Sequence, residues 1–397
     1  VTYDPAALPA AYVPIAAPGY TLDAADHDEG LHETDREQIR GLRTEFGLTP
    51  AAGDSLPYVR LYDGAGKGLI VPASALGPSP IVINGNYDHW QRTGGSAHTA
   101  TTTFDVLTSF GPDRMFTRPA GASVTVQRSV TVPDARSEFS CLITGASSVT
   151  TVDHGTRIRA AIVKRWCKQS LLVHARIRNV SGSAYTPNLR VGTPASADDF
   201  TTVTNRLDQA LQSCTDSAWT HAYAIFDPTA YTNIDNGLEI ALRIPSGSSV
   251  AGDTNYVAQF DVRPWASLAA LPPYIPPDPD EELLKALRYT RVFGGETTVD
   301  PVGSGLANST TAARAFTPLT PPMRVAPTLG VSAASDWAVV DGSATNVALT
   351  NLSLNTATTQ GVNFTCTVAS GLTAGQGTIL RAASTANARL YLHAELT

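Results

Sequence analysis

From Ile81 to about residue 268, apolar and polar residues alternate in short runs, and turn residues interrupt each run. Ser123-Val124-Thr125-Val126-Gln127-Arg128 has a period of two. So does Leu172-Val173-His174-Ala175-Arg176-Ile177-Arg178, which puts Leu172, His174, Arg176 and Arg178 on one face of a strand. Ala222 to Phe226 and Leu238 to Ile244 are further strand candidates, with turn clusters at Asn179 to Ser183 and Ser246 to Ser249. Short strands that each bury one face must pack sheet on sheet. The pattern predicts a mostly β fold of tandem antiparallel, jelly-roll-like sandwiches. Composition agrees: Gly (31) and Pro (27) are plentiful and only 16% of residues are charged, which suits strands joined by turns.

Proline divides the chain. Residues 1–78 read as an N-terminal region for attachment and oligomerisation, 79–270 as a jelly-roll-like sandwich, 271–288 as a Pro-rich linker with a short helix, and 289–397 as a second β-sandwich. In the first region Pro5, Pro9, Pro14 and Pro18 oppose helix and continuous strand pairing. Thr34-Asp35-Arg36-Glu37 has the form of a capping box and opens a helix with Ile39, Leu42 and Phe46 on one stripe. Its partner is either the following strand or the same helix in neighbouring subunits. Tyr58 to Tyr62 and Leu69 to Val71, joined through Asp63-Gly64, predict a hairpin. Pro272-Pro273, Pro276-Pro277 and Pro279 form a semi-rigid spacer before a helix over Glu281 to Leu287. Strand candidates beyond it are Trp337 to Val340, Asn346 to Leu349, Val362 to Cys366 and Leu390 to Leu392.

Several chemistries find no support. A net charge of −7 with no Lys/Arg cluster offers no face for nucleic acid. No apolar run reaches the ~18 residues of a membrane helix, so no membrane insertion is expected. Val1 to Pro5 shows no signal-peptide pattern, so secretion by the general pathway is not expected. Cys141, Cys167, Cys214 and Cys366 form no C-x-x-C pair and read as buried thiols, with a Cys167–Cys214 disulfide as the alternative. The cluster of Asp23, Asp26, Asp28 and Glu29 with His27 and His32 reads as a solvated loop before a helix. No metal site or cofactor is expected. Gly64-Ala65-Gly66-Lys67-Gly68 lacks the spacing of a phosphate loop, and no G-x-S-x-G or H-E-x-x-H occurs. Asp198-Asp199 and Asp278/Asp280 are carboxylate pairs for glycoside cleavage, but each sits where turn chemistry already calls for Asp. The expectation is a protein that is not an enzyme.

Sugar recognition is the chemistry that remains. In Trp219-Thr220-His221-Ala222-Tyr223-Ala224-Ile225-Phe226 a regular strand places Trp219, His221, Tyr223 and Ile225 on one face. Trp219 and Tyr223 offer a platform for a pyranose, His221 a polar neighbour, and Asp198 and Asp199 a rim. A core face holding one satisfied histidine has the same pattern. Trp90 reads as core, and the scattered histidines as hydrogen-bonded structural residues.

Asn84-Gly85-Asn86-Tyr87-Asp88-His89-Trp90-Gln91-Arg92 resembles the opening of the receptor-binding β-sandwich in many bacteriophage tail fibres. Arg263-Pro264-Trp265 leading to Glu281-Glu282-Leu283-Leu284 and Leu287-Arg288-Tyr289 is similar to a later segment of that family. So are Met323-Arg324-Val325-Ala326-Pro327-Thr328 and Ala394-Glu395-Leu396. The resemblance spans roughly residues 80–397. Tyr87 stands where the pattern has Phe, and Gly111 to Phe116 departs from the expected Ala-Asp-Arg-Trp. The resemblance implies a virion structural protein, a tail fibre or head spike. It implies a host cell-surface polysaccharide as ligand and contacts with other virion proteins through the N-terminal region. The proline-spaced arm cannot bury a core by itself and the Ile39/Leu42/Phe46 stripe needs a partner, so a homo-oligomer, a trimer, is expected. The alternatives are a spike without a specific ligand and a glycan-cleaving enzyme.

Overall fold

A computed structural model describes residues 58–62, 68–72, 81–105, 108–166, 169–245, 252–265, 268, 271–342 and 345–396. The proline-spaced arm, the helix after Thr34, the acidic cluster and Cys167 lie outside the described residues. The hairpin is present by itself: β1 (Tyr58–Tyr62) pairs antiparallel with β2 (Gly68–Pro72), Val59 opposite Val71. Among the described residues no helix is long and apolar enough to cross a membrane.

The sandwich is made from β3 (His98–Ala100), β4 (Met115–Ala120), β5 (Val124–Ser129), β6 (Ser140–Thr144) and β7 (Thr151–Arg159), followed by the short helix α1 (Ala160–Trp166). Then come β8 (Leu171–Val180), β9 (Asn188–Ser196), β10 (Asp199–Ala210), β11 (Trp219–Phe226), β12 (Gly237–Ile244) and β13 (Thr254–Pro264). They form a five-stranded sheet in the order β10-β9-β12-β7-β4 and a six-stranded sheet in the order β11-β8-β13-β6-β5-β3. All their pairings are antiparallel. Strand β12 shows why: Leu238, Ile240, Leu242 and Ile244 enter the core, while Glu239, Ala241 and Arg243 leave on the other face. Val173, Ala175 and Ile177 of β8 and Ala222, Ala224 and Phe226 of β11 meet them from the opposite sheet. Each fully buried side chain of this size contributes about 1.5–3 kcal/mol. Strands β3, β4, β6, β7, β9, β10 and β13 were not among the candidates; β10 escapes because it is a mostly exposed edge with polar residues on both faces.

The linker ends in α2 (Pro279–Ala286). It begins before the expected Glu281 because Asp278 caps it, accepting from the amides of Asp280 at 2.9 Å and Glu281 at 3.1 Å, with Pro279 at the first helical position. Beyond it run β14 (Thr290–Phe293), β15 (Pro301–Ala307), β16 (Ala312–Pro318), β17 (Thr328–Val331) and β18 (Trp337–Val340). The chain finishes with β19 (Asn346–Ala357), β20 (Gly361–Val368), β21 (Gly377–Ala382) and β22 (Leu390–His393). In place of the expected second sandwich, strands β15-β16-β20-β19-β18-β21 close into a barrel, in which one sheet packs on itself, and β14-β22-β17 form a small sheet. Trp337, Phe364, Leu380, Leu390 and Leu392 share the core of this part. The strands read from sequence around Trp337, Val347, Phe364 and Tyr391 are all present.

The segments that carry the tail-fibre resemblance meet in space. Asn84 and Tyr87 turn the chain at φ 61° and 62°. The Asn84 side-chain amide donates to His89 O at 2.8 Å and Asp113 O at 2.9 Å. A Cβ on Gly85 would stand 1.9 Å from Phe260 O, so no side chain fits there. Trp90 is buried, with Nε1 donating to Tyr87 O at 2.8 Å. Tyr87 is fully buried, and its hydroxyl lies 2.8 Å from His154 Nε2, while Thr117 Oγ1 lies 2.9 Å from His154 Nδ1. The hydroxyl that distinguishes Tyr from Phe therefore satisfies a histidine in the core. The Asn84 amide donates to Glu282 of α2. Arg92 donates to Thr290 and, at 3.0 Å, to Glu395, which also receives Arg114. Arg157 donates to Leu396 O at 2.6 Å. Sandwich, helix and C-terminal strand region are thus tied through one buried polar junction.

Candidate functional site

Strand β11 is an edge of the six-stranded sheet. Its pairing with β8 sets Trp219 opposite Arg178, His221 opposite Arg176 and Tyr223 opposite His174. Ala222, Ala224 and Phe226 fill the core, so Trp219, His221 and Tyr223 emerge on the other face, each half-buried. The Trp219 ring lies 6.3 Å from the Tyr256 ring of β13, and the Arg178 guanidinium lies 5.5 Å over Tyr256. His221 and Tyr223 rings are 5.2 Å apart. The face thus joins Trp219 to Tyr256 and His221 to Tyr223, with cations alongside.

Behind it runs a hydrogen-bonded chain. His221 Nε2 lies 3.3 Å from His174 Nδ1, and His174 Nε2 lies 2.8 Å from Asp261 Oδ2, which also accepts from Arg263 Nε at 2.6 Å. Burial first, then the charges of His174, Arg176 and Arg136, push the His221 pKa down to about 4. His221 is therefore neutral at neutral pH and offers the face an uncharged polar edge.

Asp198 and Asp199 do not reach this face. They sit at the turn between β9 and β10, in the five-stranded sheet. Asp198, at φ 62°, accepts from the Ala160 amide at 2.6 Å and lies 3.6 Å from Arg324. Asp199 is exposed and accepts from Thr201 Oγ1 at 2.7 Å. Closeness in sequence misleads here because the chain crosses from one sheet to the other between β10 and β11. Cys141, Cys214 and Cys366 are buried free thiols, and burial pushes Cys214 up to about 11.

The pattern reading missed a cleft of about 560 Å³ on the outer face of the five-stranded sheet. Arg118 of β4, Asp153 of β7, Glu239 and Arg243 of β12, and Arg190 of β9 form its floor. Register places Arg118 opposite Asp153 and Asp153 opposite Arg243. Arg243 grips Asp153 with two hydrogen bonds, 2.7 Å from Nε and 2.9 Å from Nη2. Arg190 Nη1 reaches the same carboxylate at 3.0 Å and Arg118 Nη2 at 3.2 Å. Arg118 Nη2 also meets Glu239 at 2.7 Å, and Arg157 Nε meets it at 2.9 Å. Burial alone raises the Asp153 pKa, but the arginines around it, Arg243 first, hold it below the ordinary value. The sequence signal was present: Glu239 and Arg243 interrupt the apolar run of β12, as Asp153 and Arg157 do in β7. Their convergence across strands was not.

Among the described residues no group of three or more side chains could hold a metal ion. No protein-family model and no curated protein matches the sequence. Solved structures do resemble parts of it. An arabinose-bound α-L-arabinofuranosidase aligns at 15% identity and TM-score 0.27, over 37% of this chain and 23% of that one. A CBM22-1 xylan-binding domain from Paenibacillus barcinonensis aligns at 14% and 0.27, over 44% and 98%. The enzymatically active domain of tailspike protein 4 from bacteriophage CBA120 aligns at 12% and 0.28, over 38% and 19%. The match thus spans under a quarter of the arabinofuranosidase and of the tailspike, and nearly all of the xylan-binding domain. At these scores the function rests on the site itself.

Proposed function

We propose that this chain is a virion structural protein of a phage or phage-like particle that binds a host-surface glycan on the Trp219 face. The single observation that carries the binding is the split of β11. Ala222, Ala224 and Phe226 supply the core, so Trp219 and Tyr223 are not needed there and stand half-exposed beside Tyr256. Aromatic rings with one wet side suit the apolar face of a sugar ring, and neutral His221 and cationic Arg178 can orient hydroxyls. The virion role rests on the tail-fibre resemblance, whose separated segments here share one junction. Residues 1–78 attach the protein to other virion proteins and organise a trimer.

Binding without cleavage is the favoured reading. Asp278 caps a helix, Asp198 is engaged by a backbone amide, and Asp153 is held ionised by arginines. Glycoside cleavage needs a carboxylic acid that keeps its proton, and the two among the described residues that burial shifts that way, Asp113 and Asp88, are tied into the Asn84–Arg92 turn through Gln91 and Asn86.

Trp219→Ala is the test. It should abolish binding to the neutral glycans of an array and weaken attachment to host cells while costing less than about 1 kcal/mol of stability, as for a surface position. A loss of about 3–5 kcal/mol, the cost of truncating a buried Trp, rejects the site. An array with no hit for the native chain favours a spike without a ligand. Light scattering of the full chain should report a trimer, and a monomer at micromolar concentration ends that part of the proposal.

A further inference from the structure

We propose that the cleft on the five-stranded sheet is a second binding site, and that its ligand is a saccharide carrying a carboxylate. The cleft lies on the sheet opposite the one that bears Trp219, so it stands independently of the aromatic face. Its size falls within the range of about 300–1,000 Å³ usual for small-molecule sites.

The charge balance names the ligand. Arg118, Arg190 and Arg243 line the cleft against Asp153 and Glu239, three positive charges to two negative, while Arg157, 2% exposed, and Asp208, 3.4 Å from Arg190, lie outside the lining. The floor is therefore positive in a chain whose net charge is −7. The side chains of Arg118, Arg190 and Arg243 keep 27%, 24% and 28% of their exposure, so they reach the cleft. Each guanidinium carries several N–H donors, and the ion pairs use only some of them. Arg243 commits Nε and Nη2 to Asp153, and Arg190 commits Nη1, which leaves Nη1 of the former and Nη2 of the latter for a ligand. Guanidinium N–H groups match a carboxylate in geometry and strengthen the bond by charge.

The same floor discriminates. Asp153 and Glu239, nearly buried beneath the arginines, repel a doubly charged phosphate more than a singly charged carboxylate. Thr102, Thr201 and Asn205 add neutral polar groups at the wall, and Phe200 an apolar one. A ring with several hydroxyls and one negative charge uses all of these, whereas a neutral sugar leaves the spare guanidinium donors unmatched.

The experiment is calorimetric titration of the full chain at low salt. The probes are oligosaccharides of galacturonate, of glucuronate and of sialic acid, each beside a neutral counterpart, with inorganic phosphate as competitor. At least one acidic probe should bind about tenfold or more tighter than its neutral counterpart, the gain of one charge-assisted contact. Thr102→Glu adds a negative charge at an exposed lining position, and Arg190→Gln removes a donor; each should weaken binding about tenfold. Trp219→Ala should leave it within about twofold, since that residue lies on the other sheet. The assignment falls if no acidic probe binds, if neutral counterparts bind equally, or if both cleft variants bind as the native chain does. Displacement by phosphate at equal concentration would show a general anion site and overturn the saccharide assignment.

Discussion

The molecule contains two arginine–carboxylate clusters built from the same chemistry and placed in opposite surroundings. In the junction, Arg92 and Arg114 keep 2% and 3% of their side-chain exposure and Glu395 none. In the cleft, Arg118, Arg190 and Arg243 keep about a quarter each around a nearly buried Asp153. Removing one partner of a buried cluster strands the others in a medium that cannot solvate them. Half-open charges can fall back on water, so they hold the fold less tightly and remain free to meet a ligand. One cluster therefore fixes how sandwich and C-terminal part are joined, and the other is available for recognition. Arg157 spans both, donating to Glu239 in the cleft and to Leu396 O in the junction.

The largest effect is expected at the junction. Glu395→Gln keeps the shape and removes the charge that answers Arg92 and Arg114. It should cost about 3–5 kcal/mol, the penalty for an orphaned buried charge, read by chemical denaturation. A loss under about 1 kcal/mol would mean that water reaches the junction, and the contrast would collapse.

Acid should attack the buried side next. Burial alone raises the Glu395 pKa, but Arg114 and Arg92 with the Thr290 hydrogen bond win and pull it from 4.5 to about 2. Its folded value lies below its unfolded one, so its stabilisation is present above pH 4.5 and is lost as pH falls toward 2. His154 moves in the same sense: burial lowers it from 6.5 to about 3, so stability already declines below pH 6.5 as the unfolded chain takes up the proton first. By pH 4 this second group alone should cost about 3 kcal/mol. Melting temperature should fall steadily from pH 6.5 downward. In Tyr87→Phe the His154 Nε2 loses its partner, which should cost about 1–3 kcal/mol at neutral pH. A flat profile to pH 4 would show that His154 is not held neutral.

How far the sequence reveals these two clusters follows from range. Periodicity of two found the strands that carry a clean apolar face, such as β8 and β12, because burial on one side is a local signal. Trp90 as core and His154 as a satisfied histidine followed from how large aromatics and lone histidines usually sit; the same reading fails at His98 and His393, whose buried ring nitrogens are left without a well-formed hydrogen bond. The junction was half legible: Asn84 to Arg92, Glu281 to Tyr289 and Ala394 to Leu396 were each recognised, but their meeting was not. Arg92 and Glu395 are 303 residues apart, and no pattern along the chain records that contact. The cleft was less legible still. Its charges come from four strands, and a charged residue on a strand's wet face is ordinarily just solvated. Trp219, His221 and Tyr223 were placed on one face correctly because they share a strand. Asp198 and Asp199 were misplaced because sequence nearness was taken for spatial nearness across a change of sheet.

Asp153→Asn is the counterpart of the junction variant. It frees Arg118, Arg190 and Arg243 together, yet each can turn to water. The expected cost is about 1–2 kcal/mol, well under that of Glu395→Gln, because solvent screens the half-exposed partners. Equal costs for the two variants would show that the cleft charges are structural. The recognition assigned to them would then lose its physical basis.

Salt gives the smallest effect and separates the clusters most directly. Raising ionic strength from about 0.01 to 1 M shortens the screening length from roughly 30 to 3 Å. Ions enter an open cleft, so they weaken the attraction between Asp153 and its arginines in the native protein. The cost of Asp153→Asn should therefore shrink by a few tenths of a kcal/mol, about the share of an exposed pair that salt can remove. Ions do not enter the junction, where Glu395 has no exposure, so the cost of Glu395→Gln should stay constant within error. Both variants measured across one salt series, each against the native protein, give the comparison without reference to absolute stability. A parallel decline in both would mean that the junction is as wet as the cleft. A constant cost for both would mean that the cleft is closed to small ions, and a site closed to them is closed to a charged sugar as well.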